Sequence, residues 1–156
     1  MNAITGKLAR AADEAAACLD DAHLLRSKLI DKCAAVEGAV LAHLSNRSIK
    51  ISAKAPLSQK MALLRDSLRD KTPLSKADRS LQKAMVELQP LAELRSELAH
   101  STLERAAVNG QVIFLLRNAA DEGSSVDRRV VVTPASLRDA TSQLSQIANR
   151  LRQLAA

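Results

Sequence analysis

The near absence of aromatic residues is the feature that most constrains the fold of this chain. Among 156 residues there is one aromatic side chain, Phe114, and there is neither Trp nor Tyr. Most apolar residues are Leu, Ala and Val, so the core must be aliphatic, with Ala allowing helices to approach closely. Four Gly and four Pro are too few for a loop-rich all-β fold. We therefore expect a mainly α-helical single domain over residues 1–156, a length typical of one domain.

Apolar residues at steps of three and four define the first two helices. Residues 7–44 follow this pattern as one long helix, or as two helices joined near Ala22. The stretch 45–57 predicts a loop or a short extended segment. Ser58 then caps a second helix, which ends before Pro73 because proline disfavours helix at the preceding residue.

A third helix has the clearest start signal. Ser75 stands at its cap, and Asp78 occupies the capping-box position that Glu or Gln usually fills. Pro90 kinks or restarts this helix, which we expect to continue to about Ala106. The Asn-Gly pair at 109–110 is a stop and turn signal.

The chain changes character after this turn. Two β-rich runs, QVIFLLR and RRVVV, lie at 111–117 and 128–132, and a polar, Gly-containing stretch separates them. This pattern predicts a two-stranded hairpin over 111–132. Thr133 as cap and Pro134 at the first helical position then begin the last helix.

The last helix carries a heptad-like apolar stripe. Its members are Leu137, Ala140, Leu144, Ile147, Leu151 and Leu154. Ordinary packing against the other helices is the favoured interpretation, and a dimer seam is the alternative.

Cysteine usage and hydropathy point to a cytoplasmic protein. Cys18 and Cys33 fall in one predicted helix about 22 Å apart, too far for a disulfide, and both are expected to be small buried apolar residues. The first turns carry charges where a signal peptide has its apolar region. No apolar run has the length of a membrane span.

The positive charge is unevenly distributed. The net charge is +6, from 23 Lys and Arg against 17 Asp and Glu, which permits a polyanionic partner. No acidic residue lies between Glu37 and Asp66. A solvated basic loop is one interpretation of this stretch, and a phosphate-facing patch is the other. The basic residues there are Arg47, Lys50, Lys54, Lys60 and Arg65, of which the first four are the candidate RNA-binding residues.

One Arg–His pair, Arg95 and His100, carries the chemistry. Wound as a helix, the segment 91–103 places Arg95 within an apolar arc and His100 on the far side, beside Glu93. A guanidinium among leucines requires a buried carboxylate, a route to the surface or an anionic ligand. Arg and His at a shared anionic site suit phosphoryl chemistry. Without an acidic cluster of metal-ligand spacing, the attacking group would be the 2′-hydroxyl of RNA.

The run LRSELAHS, with Arg95 and His100 in an Arg-x4-His spacing, resembles the HEPN superfamily. The resemblance implies an antiparallel bundle of four to five helices, here with the hairpin as an insertion. It also implies a homodimer in which two Arg–His motifs meet in a cleft. Many members are metal-independent ribonucleases of bacterial defence or toxin–antitoxin systems, and others only bind RNA or nucleotide. Arg95 would then hold the scissile phosphate and His100 would transfer the proton.

Ser96 departs from the family pattern. Active members usually carry Asn, Asp or His directly after the Arg, and Ser96 stands there, able to form a hydrogen bond but not to replace those groups fully. We include Ser96 among the candidate catalytic residues. No metal site and no cofactor-binding motif is evident. The alternative function is a non-catalytic helical module that binds a protein partner, an antitoxin or another protein, through the C-terminal stripe.

Overall fold

The computed structural model describes the backbone of residues 2–69, 71–118 and 129–155, and the side chains of these ranges from residue 19 onward, except 118 and 129. This part of the chain forms four helices and one three-stranded antiparallel sheet, which confirms the mainly helical prediction. The helices are α1 (Asn2–Asn46), α2 (Leu57–Arg69), α3 (Lys76–His100) and α4 (Pro134–Ala155). The strands are β1 (Ser101–Val108), β2 (Gln111–Asn118) and β3 (Arg129–Val132).

The sequence allowed either one long helix or two helices joined near Ala22. The structure has one continuous helix, α1. It ends in a tight reversal in which the Ile49 amide donates to the Leu44 carbonyl over 2.9 Å. Ser48 takes the left-handed conformation there, with φ 59°, a position that glycine usually fills in this type of helix end. The chain changes direction here and enters the basic loop between α1 and α2.

The predicted caps are confirmed for two helices and wrong for one. The Ser75 hydroxyl accepts a hydrogen bond from the Asp78 amide (3.0 Å) and donates to the Asp78 carboxylate (2.8 Å). Thr133 caps α4 by accepting from the Ser136 amide over 3.0 Å. Ser58, by contrast, lies inside α2, since the Pro56 carbonyl already accepts from the Lys60 amide.

The end of α3 differs from the prediction. The helix passes through Pro90 without a break and stops at His100 rather than near Ala106. The six residues expected to be helical instead belong to β1, which pairs with β2 from Ser101↔Asn118 to Val108↔Gln111. Helix-forming residues thus yield to strand pairing, because an Asn-Gly turn is a strong hairpin signal and its φ values of 51° and 75° fit that turn.

The predicted 111–132 hairpin corresponds to β2 and β3, which pair antiparallel from Phe114↔Val132 to Arg117↔Arg129. The connection at 119–128 lies outside the described residues. The sheet therefore has three strands, with β2 in the centre, where the prediction had two.

The core is aliphatic, as expected, and it encloses the single aromatic ring. Phe114 is fully buried, and so are Leu29 and Val36 of α1. The C-terminal stripe is buried as well, from Leu137 to Leu151. It packs inside the chain's own core, so this stripe is available neither as a dimer seam nor as the partner-binding surface of the alternative function. Cys33 is buried, and the side chain of Cys18 lies outside the described part.

A buried histidine joins the first and last helices. His43 donates from Nε2 to the Leu151 carbonyl over 2.8 Å. Burial lowers the pKa of His43 below 6.5, and the positive charge of Arg47 acts in the same direction, while the hydrogen bond to Leu151 opposes them. The folded chain therefore takes up this proton less readily than the unfolded chain does.

Stability is expected to fall as the pH drops below about 6.5, where the unfolded chain binds the proton and the folded chain does not. Above that pH the His43 contribution is constant. The check is the melting temperature of wild type and His43→Gln at pH 8 and pH 5, with exposed His23→Gln as the control. His43→Gln should lose less stability between these pH values than wild type and the control. Equal losses in all three proteins would contradict the assignment.

Candidate functional site

The second half of α3 carries all three candidate catalytic residues. Arg95 is half-buried, and Ser96 and His100 are exposed. Arg95 and Ser96 line one pocket of about 240 Å³, whose opposite wall is the start of α2 at Pro56 and Leu57. His100 is not among the residues that line this pocket.

Arg95 has no ion pair within the described ranges. The buried carboxylate that the sequence offered as one explanation for a guanidinium among leucines is therefore not found there. Glu93 lines the same pocket, but its carboxylate accepts a hydrogen bond from the Gln89 amide over 2.8 Å. Arg95 thus lines an open pocket and forms no ion pair with a carboxylate of the described residues.

Cys33 of α1 lies close enough to Arg95 for its positive charge to affect the pKa of the Cys33 thiol. Burial raises the pKa of the Cys33 thiol to about 11, and the positive charge of Arg95 opposes that rise without cancelling it. The thiol therefore stays protonated at neutral pH and is a poor nucleophile. It acts as a small apolar residue beside the candidate site, as expected.

Ser96 links the two halves of the predicted motif. It lies in the pocket with Arg95, and it stands four residues before His100, which places the two on the same helix face. His100 is the last residue of α3, and the backbone becomes extended at Ser101. An adjoining hollow of about 460 Å³ between α3 and β3 is lined by Ser96, Glu97 and Val130. Although α3 ends at His100, one chain does not bring Arg95 and His100 into one pocket.

The four candidate RNA-binding residues divide into two kinds. Lys50 and Lys54 are exposed in the loop between α1 and α2. Arg47 is engaged in the fold, since it donates to the Asp78 carboxylate over 2.9 Å. Within the described ranges, Lys50 and Lys54 form no ion pair and remain the exposed cations of the predicted patch.

Lys60 has no exposed surface at all, so it cannot contact RNA in this conformation. Its ammonium group donates to the Glu37 carboxylate and to the Ala53 carbonyl, the latter over 2.6 Å. In sequence Lys60 adjoins Met61 on the core face of α2, a signal that could have identified it as an interior residue. Lys60 anchors the basic loop to α1 and α2 and belongs to the fold.

A second basic region was not predicted as a site. Arg65 and Arg69 near the end of α2 meet Lys71 and Arg79 around a groove of about 590 Å³. These four cations come from α2, from α3 and from the connection between them, so no single sequence pattern links them. From the sequence, therefore, only Arg65 was included among the basic residues of interest.

The described residues contain no group of three or more His, Cys, Asp or Glu side chains placed to hold a metal ion. Within the same residues, no helix combines the length and the apolar character needed to cross a membrane. No protein-family model matches the chain, and searches of curated proteins and of solved structures give no significant match. The function must therefore be inferred from the chemistry of the site.

Proposed function

We propose that this chain is a HEPN-like, RNA-directed protein that cleaves RNA without a metal ion. The observation that supports the proposal is the environment of Arg95, a half-buried residue that lines an open pocket and forms no ion pair within the described ranges. The open pocket leaves this guanidinium within reach of solvent and of an anionic ligand, which would compensate its charge. Arg binds phosphate through two parallel hydrogen bonds, which makes an RNA phosphate a suitable ligand.

The proposed reaction uses the RNA's own 2′-hydroxyl. Its oxygen attacks the adjacent phosphorus, a new P–O2′ bond forms and the P–O5′ bond breaks. The products carry a 2′,3′-cyclic phosphate and a 5′-hydroxyl. His100 carries out one of the two proton transfers, accepting the 2′-hydroxyl proton or donating a proton to the leaving 5′-oxygen, and water carries out the other. Arg95 stabilises the charge that develops on the phosphate.

A second copy of the chain would complete the site. Arg95 and His100 lie about 140° apart around an ideal helix, so one straight helix does not aim both at one phosphate. In the antiparallel bundle and homodimer that we propose, Arg95 of one protomer and His100 of its partner act on the same phosphate. The exposed position of His100 at the end of α3 is compatible with such a contact. We place the protein in the cytoplasm, as part of a bacterial defence or toxin–antitoxin pair.

The test is incubation of the wild-type protein with mixed-sequence RNA in EDTA, followed by analysis of the new RNA ends. We expect cleavage with cyclic phosphate ends, and a rate at least about 100-fold lower in the His100→Ala protein. Cleavage by His100→Ala at the wild-type rate would place the chemistry elsewhere. No cleavage by folded, dimeric wild type would overturn the catalytic proposal.

Arg95 should be dispensable for folding. Arg95→Met keeps the apolar length of the side chain, and we expect it to change the free energy of unfolding by less than about 1 kcal/mol. Arg47→Met is the matched control, and it should cost more because it breaks the 2.9 Å bridge to Asp78. Denaturant unfolding of both variants provides the measurement. A loss of about 3–5 kcal/mol for Arg95→Met would show instead that Arg95 is a buried ion-pair partner.

A further inference from the structure

A groove lies at the corner where α2 ends and α3 begins. Its charged lining residues are all cations, and we call the four of them the basic groove: Arg65, Arg69, Lys71 and Arg79. Leu68 and Val86 contribute apolar surface between them, and Val86 is 66% exposed although it is apolar. The groove therefore combines a cationic rim with an uncovered apolar wall.

The cations of the basic groove are weakly neutralised. Asp78 also binds Arg47 and Ser75, and it reaches Lys71 only at 3.8 Å. Arg69 and Asp66 are 4.0 Å apart and both mostly exposed, an arrangement worth little in water. Asp70 lies outside the described residues.

Arg65 and Arg79 form no ion pair within the described ranges. The Arg79 guanidinium donates to the Leu74 carbonyl over 2.7 Å, which fixes its position at the rim. One cation of the groove is therefore held in place before any ligand arrives.

The basic groove is aligned with the candidate catalytic residues. Helices α2 and α3 run antiparallel, because the end of α2 borders the basic groove and its start borders the pocket of Arg95. Residues spaced alternately by three and four positions lie on one face of a helix, and this face rotates by about 20° every seven residues. One such face extends between the two ends of α3. The residues on this face are Arg79, Gln82, Val86, Gln89, Glu93, Ser96 and His100. The distance along the helix from Arg79 to Ser96 is about 26 Å.

We propose that the basic groove binds the phosphate backbone of single-stranded RNA, about 26 Å along α3 from Ser96. This inference rests on the proposed RNA-directed function and adds the place where the substrate is held. With no aromatic side chain in the groove, bases are not bound by stacking, so recognition depends on phosphate. Single-stranded DNA should therefore compete for binding although it lacks the 2′-hydroxyl needed for cleavage.

The experiment measures binding of a fluorescein-labelled single-stranded RNA by anisotropy at several salt concentrations. All proteins carry His100→Ala, so that cleavage does not interfere. The test variant combines Arg65→Ala, Arg69→Ala and Arg79→Ala, which are exposed residues. The control combines Lys28→Ala, Lys32→Ala and Arg138→Ala, which removes the same charge from exposed positions on α1 and α4. Circular dichroism and melting temperature confirm that each protein is folded.

Loss of three phosphate contacts should make the negative slope of log association constant against log salt concentration shallower by about 2. It should also weaken binding about 100-fold at 0.1 M salt. The control should weaken binding much less. Unlabelled single-stranded DNA should displace the RNA, and poly-glutamate should not.

Three results would overturn the inference. These are unchanged RNA affinity in the groove variant, absence of RNA binding by the parent protein at low salt, and displacement by poly-glutamate as effective as by RNA, which would indicate an acidic protein partner. If wild type fails to cleave RNA while groove-dependent RNA binding persists, the catalytic proposal fails and the basic groove stands.

Discussion

Replacing Glu37 with alanine is expected to lower the free energy of unfolding by about 3–5 kcal/mol, because it leaves the Lys60 ammonium group buried without a counter-ion. Lys60 is 0% exposed and Glu37 is its only carboxylate partner among the described residues. The Ala53 carbonyl remains as a hydrogen-bond acceptor, but it carries no full charge. Alanine is favourable in a helix, so α1 itself should not be weakened at this position.

Replacing the other partner, Lys60, should lower the free energy of unfolding by less. Lys60→Met fills the interior with an apolar chain of similar length, and the Glu37 carboxylate, already 29% exposed, turns toward water. The remaining cost is the unpaired Ala53 carbonyl, about 1–3 kcal/mol. The asymmetry between the two variants is thus the signature of a buried cation.

Chemical denaturation of the two variants measures this asymmetry. Lys83→Ala is the control, since it removes one partner of an exposed pair 4.0 Å apart on α3, and it should change stability by less than about 0.5 kcal/mol. If Glu37→Ala costs no more than Lys83→Ala, Lys60 is not held by the charge of Glu37, and its removal from the RNA-binding set would need to be reconsidered.

His100→Ala is expected to reduce RNA cleavage by about 10²–10⁴-fold, the usual contribution of a residue that transfers a proton in the transition state. His100 is exposed at the end of α3, so the substitution should leave the fold unchanged. Initial rates on one RNA in EDTA provide the measurement, and His23→Ala, an exposed histidine of α1, is the matched control.

A second RNA tests the chemistry independently of the protein variant. An RNA with a single 2′-deoxy nucleotide at the cleavage position lacks the attacking hydroxyl, and wild type should not cut it there. Cutting at the deoxy position, or an equal loss of rate in His23→Ala and His100→Ala, would contradict the proposed role of His100.

The candidate site was predicted in part. The placement of Arg95, Ser96 and His100 on one helix follows from the apolar periodicity around them, and the structure has them on α3. Their relation to α2 did not follow from the sequence, because the Leu57 wall of the pocket is 38 residues before Arg95. The basic groove was missed for the same reason.

Local interactions explain what the sequence by itself determined. Apolar steps of three and four, the caps at Ser75 and Thr133 and the Asn-Gly turn act over a few residues, and each is found in the structure. The sequence also required an aliphatic core, since Phe114 is the only ring available to it.

The tertiary structure alone decided the features that depend on distant partners. Residues 101–106 favour a helix locally but form β1, because pairing with β2 satisfies their backbone groups. In the sequence Lys60 belongs to the basic stretch between Glu37 and Asp66. It is nevertheless buried, because the Glu37 carboxylate and the Ala53 carbonyl accept hydrogen bonds from its ammonium group. In both cases a pairing with residues outside the segment outweighs its own local preference, and the pattern of the segment alone does not record that pairing.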